Sequence, residues 1–365
     1  MMVNIRWCLA PWLVGLLFVA CGGSDNGNSD LNSPDAVTQK DVSSDIDDVV
    51  ASDTDAIVDG DVQIPIDGVH GDASDTEDVE LPPTDATNYA IVTTDELLEA
   101  ATAFATYRES TGYRTVILKI SDMTGYGSQK ISSTRAEVKS LREALPAGYP
   151  LFVLLLGAAR DGSLPAADCE NELGDCNTDN AYVDFDEDGL PDAAVGRVPA
   201  TSNDVALAYL DKVKTHETTY TIGEHNRSIG VYTGQAEFSA EIDALLETAV
   251  MEGLKLVSHL FDIKGLYNNT NSSYYYMPFE EKVVDLFNEG VLMMIYIGHG
   301  STDWTEGLDP DHIDLIHCTK RLPLMFFFSC LNGNYVGGTT PSMAEQLLWK
   351  VDGPVTAVGA SDISH

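Results

Sequence analysis

The sequence predicts an α/β fold built on a mostly parallel sheet with helices on both faces. Three apolar runs are too short to cross a membrane and end abruptly at glycine or small polar residues: LFVLLLG (151–157), VLMMIYIG (291–298) and LPLMFFFS (322–329). Such runs are typical of strands buried on both faces of a parallel sheet. Segments with helical spacing of apolar residues lie between the strands, and this alternation implies right-handed crossovers.

The predicted elements follow in chain order. Strands are expected at 88–92, 115–120, 151–157, 228–233 and 254–261, and helices at 95–110, 133–145, 202–217, 239–252 and 278–288. Thr94 or Asp95 can cap the first helix, and Ser202 or Asn203 the third. After the last two apolar runs, SMAEQLLWK and GPVTAVGAS indicate a final helix and strand.

The amino terminus has the pattern of an export signal. Residues 1–20 carry one basic residue, Arg6, followed by a short apolar core from Leu9 to Ala20. Ala20-Cys21-Gly22 resembles a bacterial lipoprotein cleavage site, which implies a lipid-modified Cys21 and a membrane anchor. The alternative is a plain secretory signal in which Cys21 is incidental. Either interpretation predicts an exported protein; the lipoprotein would lie in the cell envelope, on the periplasmic or surface side of the outer membrane.

Residues 21–87 are interpreted as a disordered acidic tether. The stretch is rich in Asp, Ser, Asn and Gly, and Lys40 is its one Lys or Arg. It cannot bury enough apolar surface to offset its ordering entropy, and its like charges favour extension. The whole chain has 58 acidic and 20 Lys or Arg residues, a net charge of −38. That balance argues against nucleic acid as a partner, since phosphate binding needs Lys and Arg.

The remaining residues are expected to form two side-by-side subdomains, 88–222 and 223–365. Cys169 and Cys176 lie close together in a polar loop, DCENELGDC, and a disulfide is favoured over metal binding because no histidine accompanies them. Cys318 is interpreted as a buried thiol. Cys330 is then left as a thiol.

An aspartate-rich loop follows in the first subdomain. Asp184, Asp186, Asp188 and Asp192 surround Gly189, as at the start of a calcium loop. The distal Glu of an EF-hand is absent and Pro191 falls inside, so an EF-hand is not expected. The two interpretations are a structural Ca²⁺ site and a solvated turn packed beside Arg197.

One histidine and one cysteine stand just past the carboxyl ends of two predicted strands. His299 lies between Gly298 and Gly300, and Cys330 precedes a polar turn, LNGN. Open α/β sheets place ligand crevices at this edge, where an imidazole can deprotonate a thiol. The alternatives are a structural histidine and a buried cysteine. A metal site lacks further nearby Cys or His ligands.

These motifs carry a family resemblance. IGHGS, followed by an apolar run ending in SCLNGNY, resembles the gingipain family of cysteine peptidases. The resemblance implies a three-layer, caspase-like sandwich. It also implies His299 as general base and later acid, Cys330 as nucleophile, and the N–H groups of Gly300 and Cys330 as the oxyanion hole.

Further roles are expected for acidic and aromatic residues. Alignment with the family places Glu237 where an acid orients the catalytic histidine, and Glu241 or Asp243 near the acid that binds a basic substrate side chain. The alternative for all three is ordinary negative charge near a helix start. Trp304 is interpreted either as a pocket wall or as loop packing.

The predicted function is an envelope-anchored cysteine endopeptidase. It would cleave protein or peptide substrates through an acyl-enzyme, with Arg or Lys as candidate preferences and no cofactor needed for catalysis. The alternative is a non-catalytic surface binding protein with a degenerate peptidase fold. The chain stops at His365, whereas family members continue beyond this strand, so the hypothesis includes a fragment or a shortened catalytic subdomain.

Overall fold

Two parallel sheets organise the chain. The computed structural model describes residues 86–363, except 172–173, 220–222, 236–246, 249–252, 254–259 and 320. The strands are β1 (Tyr89–Thr93), β2 (Thr115–Lys119), β3 (Phe152–Leu156), β4 (Ala167–Asn171), β5 (Gly174–Thr178), β6 (Ala194–Val198), β7 (Ser228–Thr233), β8 (Asp262–Tyr267), β9 (Met293–Ile297), β10 (Gly300–Ser301), β11 (Trp304–Thr305), β12 (Leu324–Phe328) and β13 (Thr356–Val358). The helices are α1 (Leu98–Ser110), α2 (Ser128–Ala144), α3 (Asn203–Thr218), α4 (Phe279–Asn288), α5 (Pro310–Asp314) and α6 (Met343–Trp349).

In the described part of the chain, the first sheet has the strand order β2-β1-β3-β6 and the second has the order β13-β12-β9-β7-β8. All neighbours in both sheets pair in parallel. The first sheet comes from residues before 199 and the second from residues after 227. Both sheets nevertheless belong to one compact unit.

β1 shows why helices cover both faces of the first sheet. Tyr89 and Ile91 join a hydrophobic cluster that contains the buried residues of α1 and α3. Ala90 and Val92 point the other way, into a second cluster that contains those of α2. Successive strand residues face opposite sides, so a strand apolar at every position needs a helix layer on each side.

Buried polar contacts tie the first sheet's helices to the second sheet. Lys212 on α3 donates from Nζ to the carbonyl oxygens of Leu347 (3.2 Å), Leu348 (2.8 Å) and Pro354 (2.9 Å). Tyr209 donates to the carbonyl of Val355 at 2.7 Å. These bonds satisfy the carbonyls at the end of α6 and before β13, which a buried helix end requires.

Two described elements, the second helix and the loop around Cys169, differ from the sequence-based predictions. The predicted helix 239–252 and the predicted strand 254–261 fall mostly on residues outside the described ones, and β8 at Asp262–Tyr267 follows directly after that second run. β8 is an edge strand that is only partly buried, so its sequence DIKGLY can mix polar and apolar residues and still form a strand. The second helix begins at Ser128 rather than at residue 133. The polar loop around Cys169 is an antiparallel hairpin, β4–β5.

Side-chain caps begin α3 and α6, whereas Thr94, which we predicted as a cap of the first helix, forms no capping bond, and α1 begins at Leu98 after a short 3-10 turn. Ser202 accepts a bond from the N–H of Val205 at the start of α3. Ser342 and Glu345 form a reciprocal capping box at the start of α6. Of the helices in the described residues, none combines the length and apolar character that crossing a membrane requires.

Candidate active site

The register of β9 and β12 brings His299 and Cys330 to one edge of the second sheet. Ile297 pairs with Phe328 as the last matched rung of these parallel neighbours. His299 and Cys330 each stand two residues beyond that rung. Adjacent strands lie about 4.8 Å apart, so the two residues leave the sheet side by side. His299 is half-buried, and Cys330 is 8% exposed.

Cys330 opens a tight turn. The N–H of Asn332 donates to the carbonyl of Cys330 at 2.8 Å, and the central residue, Leu331, has φ +62°. A hydrogen bond from the N–H of residue i+2 to the carbonyl of residue i, with a positive φ at the central residue, is the rarer form of γ-turn. This conformation is strained for a branched side chain such as that of leucine. The turn is held by two bonds to the segment after β13: Leu331 N to Asp362 O (3.0 Å) and Gly333 N to Ala360 O (2.9 Å).

Asn332 joins the two loops that carry His299 and Cys330. Its side chain is fully buried, and Nδ2 donates to the carbonyls of Ser301 (2.6 Å) and Trp304 (3.0 Å). Its Oδ1 accepts a bond from Ser329 Oγ. We predicted Asn332 only as a turn residue, because its role depends on carbonyls from another loop.

Gly300 lies directly against the Cys330 turn. A Cβ at this position would collide with Asn332 Oδ1 and stand 2.7 Å from the Cys330 carbonyl oxygen. Only a residue without a side chain allows the backbones of the two loops to approach so closely. Gly300 also begins the short β10–β11 hairpin, in which Ser301 pairs with Trp304. The side chain of Trp304 is 42% exposed, so its ring is open to contact from outside.

The first turn of α6 holds both loops. Met343 N donates to Thr302 O at 2.7 Å, and Ala344 N donates to Asn332 O at 3.0 Å. These N–H groups belong to the helix start and have no partner within the helix. They are therefore available to fix the His299 loop and the Cys330 turn to one rigid element.

Glu306 is a carboxylate that our sequence reasoning missed. Its Oε2 accepts bonds from the N–H of Gln235 (2.8 Å), just past β7, and from Asn268 Nδ2 (2.9 Å), just past β8. It thus sits at the same sheet edge as His299. The sequence feature that could have identified Glu306 is its position, seven residues after His299. The three acids we predicted, Glu237, Glu241 and Asp243, lie outside the described residues, as does Cys21.

The two described thiols differ in their surroundings. Cys318 belongs to the main hydrophobic cluster, and burial raises its pKa to about 12, with Asp352 adding to the effect. Cys330 is not a member of either hydrophobic cluster among the described residues. Cys169 and Cys176 form a disulfide with an S–S distance of 2.06 Å that links β4 to β5.

Part of the aspartate-rich loop forms a carboxylate cluster. Asp184, Asp186 and Asp188 each offer one oxygen, and these oxygens lie within 4.8 Å of one another. Asp192 instead accepts a bond from the N–H of Phe185 at 2.6 Å. An all-oxygen donor set with two exposed carboxylates fits a hard cation such as Ca²⁺. Arg197 does not pair with this loop; it is fully buried and bonds Asp179 at 2.7 Å.

Comparisons with known proteins agree with this architecture. Gingipain R2 and gingipain R1 of Porphyromonas gingivalis are each 33% identical to this chain over 70 residues, which make up 19% of the chain and 9% and 7% of those relatives. A solved structure described as a protease superposes with a TM-score of 0.62 at 16% identity, covering 76% of this chain and 60% of that one. The Arg-specific cysteine proteinase gingipain R superposes with a TM-score of 0.60 at 20% identity, covering 78% and 65%.

These likenesses confirm the predicted caspase-like α/β fold. The matched stretch spans less than a tenth of the curated relatives. The profile of Peptidase family C25 matches residues 82–365, which include both sheets and the sheet edge that carries His299 and Cys330. The chain therefore belongs to Peptidase family C25, a family of cysteine peptidases that includes the gingipains.

Proposed function

We propose that this chain is a cysteine endopeptidase whose nucleophile is Cys330 and whose general base is His299. The observation that carries the proposal is the register of β9 and β12, which sets both residues two positions past one matched rung. Membership of a cysteine peptidase family supplies the reaction class, with protein or peptide as substrate.

The proposed reaction has two halves. The Cys330 thiol loses its proton to His299, and the sulfur attacks the scissile carbonyl carbon. The tetrahedral oxyanion is held by the N–H groups of Gly300 and Cys330, and the proton passes from His299 to the leaving amine as the C–N bond breaks. Water, deprotonated by His299, then hydrolyses the thioester to the carboxylic acid and returns the thiol.

Glu237 is proposed to orient the imidazole through its far nitrogen, which would favour the tautomer that accepts the thiol proton. A preference for substrates with Arg or Lys before the cut is proposed from Glu241 or Asp243, with the exposed ring of Trp304 as a contact. The likeness in fold to an Arg-specific proteinase favours testing arginine first.

The central experiment combines labelling with activity. Iodoacetamide should modify Cys330 in preference to Cys318, whose raised pKa keeps it protonated, and His299→Ala should slow the modification of Cys330. Cys330→Ala should abolish cleavage of fluorogenic peptides with Arg, Lys or a neutral residue before the cut. Unchanged cleavage by Cys330→Ala would exclude this assignment.

A second candidate is a non-catalytic surface binding protein on a degenerate peptidase fold. The observation that favours it is the 8% exposure of Cys330, which is low for a nucleophile. A chain in which iodoacetamide reaches Cys330 no faster than Cys318, and which cleaves no peptide, would support this candidate.

Envelope attachment is proposed through Cys21. The motif at Ala20-Cys21 and the acidic composition of the stretch behind it support this proposal, in which that stretch would act as a spacer. The mass of the detergent-extracted mature protein tests this: a diacyl-type addition on Cys21 is expected, and an unmodified terminus beyond Cys21 would refute the anchor.

A further inference from the structure

A buried phenol lies beneath the bend that carries His299. Tyr296 stands three residues before the histidine on β9 and is fully buried. Its hydroxyl donates to the carbonyl oxygen of His299 at 2.6 Å. Its ring packs against that of Tyr232, with centroids 4.7 Å apart, so the phenol cannot swing away from this position without repacking the core.

Gly298 makes room for this contact. Its φ is +154°, and a Cβ there would stand 2.6 Å from the Tyr296 hydroxyl and 3.0 Å from the backbone nitrogen of Gly234. Any side chain at residue 298 would displace the phenol or the end of β7. The glycine before the histidine therefore serves the approach of Tyr296 to the His299 carbonyl.

The hydroxyl is also bound from its other side. Glu306 N donates to the Tyr296 oxygen at 3.3 Å, and the Glu306 carboxylate holds Gln235 and Asn268 at the ends of β7 and β8. Burial raises the pKa of Tyr296, and the nearby charge of Glu306 raises it further. The phenol thus keeps its proton, and remains a donor, throughout the neutral and mildly alkaline range.

We infer that Tyr296 is a positioning residue for His299: its hydroxyl fixes the histidine backbone against the Cys330 turn and links it, through Glu306, to the ends of β7 and β8. The inference rests on the proposed function. His299 lies beyond the last matched strand pair, so the sheet ladder itself no longer fixes its backbone. The Tyr296 bond replaces that restraint.

Tyr296→Phe in the full-length chain tests the inference, with Tyr232→Phe as a matched control. Both variants remove one hydroxyl from a fully buried tyrosine in the same cluster, but the Tyr232 hydroxyl faces Thr305 Oγ1 at 3.5 Å and not the histidine backbone. We expect kcat of Tyr296→Phe to fall about tenfold with KM unchanged, because a displaced catalytic group lowers the rate of the chemical step. Alkylation of Cys330 by iodoacetamide should be slower in the same variant, and the dependence of the alkylation rate on pH should shift.

Two results would overturn the inference. One is a Tyr296→Phe protein with wild-type kcat and wild-type alkylation of Cys330. The other is an equal loss in both variants, which would indicate general repacking. If the wild-type chain shows no Cys330-dependent cleavage, the proposed function fails. The rate of Cys330 alkylation is then the remaining test of the inference. The inference is wrong if His299→Ala leaves that alkylation rate unchanged.

Discussion

Arg160 and Glu345 form an ion pair in which Nη2 lies 2.7 Å from Oε2, and this contact joins the first sheet to the start of α6. Arg160 follows β3 in the chain, and it also donates to the carbonyls of Asn334 and Gly338 at 3.0 Å each. The segment just after the Cys330 turn is therefore held by a residue of the first sheet. Buried Tyr335, in the same segment, stacks on the guanidinium of Arg197 at 5.3 Å.

Arg160→Met is expected to destabilise the fold by about 3 kcal/mol, because the buried Glu345 carboxylate loses its charged partner and keeps, within the described part of the chain, only its hydrogen bonds from Ser342. Urea unfolding measures the loss. Lys214→Met is the control: it breaks an exposed pair with Asp211, which should contribute less than about 1 kcal/mol. Equal effects of the two substitutions would show that Arg160 has no special role in joining the sheets.

Asn332→Ala should reduce both peptidase activity and stability. It removes the donors to the Ser301 and Trp304 carbonyls, and each unsatisfied buried group costs about 1–3 kcal/mol. The loops would separate, and a shift of about 1 Å in catalytic geometry can lower the rate up to about 100-fold. kcat and urea unfolding are the measurements.

Asn334→Ala provides the comparison for Asn332. Among the residues that the structure describes, its side chain accepts bonds from two nearby N–H groups, those of Val336 and Gly337, within the same segment. Activity should remain near wild type in this variant. If it falls as far as in Asn332→Ala, the bridge between the loops is not what matters.

Lys212 should make the free energy of unfolding depend on pH. Burial lowers its pKa to about 7 in the folded state, against about 10.4 in an unfolded chain. Between these values the unfolded chain binds more protons, so stability rises with pH, by at most about 1.4 kcal/mol per unit. The free-energy penalty for burying the charged Lys212 ammonium is absent above the unfolded pKa. It grows as pH falls towards 7.

Lys212→Met isolates this effect, because all other titrating groups are shared. The difference in unfolding free energy, wild type minus variant, should increase from pH 7 to pH 10. Urea unfolding at several pH values measures it. A difference that stays constant with pH would mean that Lys212 has an ordinary lysine pKa in the fold, held there by its three carbonyl acceptors.

Calcium is proposed to bind the cluster of Asp184, Asp186 and Asp188. At a concentration of 100 times Kd, a ligand that binds only the folded state adds about 2.7 kcal/mol. Tm should therefore be higher in calcium chloride than in EDTA, and the gain should vanish in Asp186→Asn/Asp188→Asn. Asp211→Asn, on exposed α3 surface, should keep the gain. An identical Tm in calcium and EDTA would contradict the site.

Prediction succeeded where the pattern was local. The apolar runs of β3, β9 and β12 were recognisable because a strand buried on both faces must be apolar throughout. His299 and Cys330 were chosen as candidates because each follows such a run, where the apolar sequence stops. β8 was not predicted because an edge strand needs little apolar surface, and the β4–β5 hairpin was missed because its sequence is polar.

The sequence alone determined the fold class and the placing of His299 and Cys330 at strand ends, since burial is encoded in the order of apolar residues. The tertiary structure decided their surroundings. Arg160 meets Glu345 across 185 residues, and Asn332 meets Ser301 across 31. Such hydrogen bonds depend on distances between groups that no local pattern specifies, so the residues that hold the candidate site together become visible only when the two sheets are assembled.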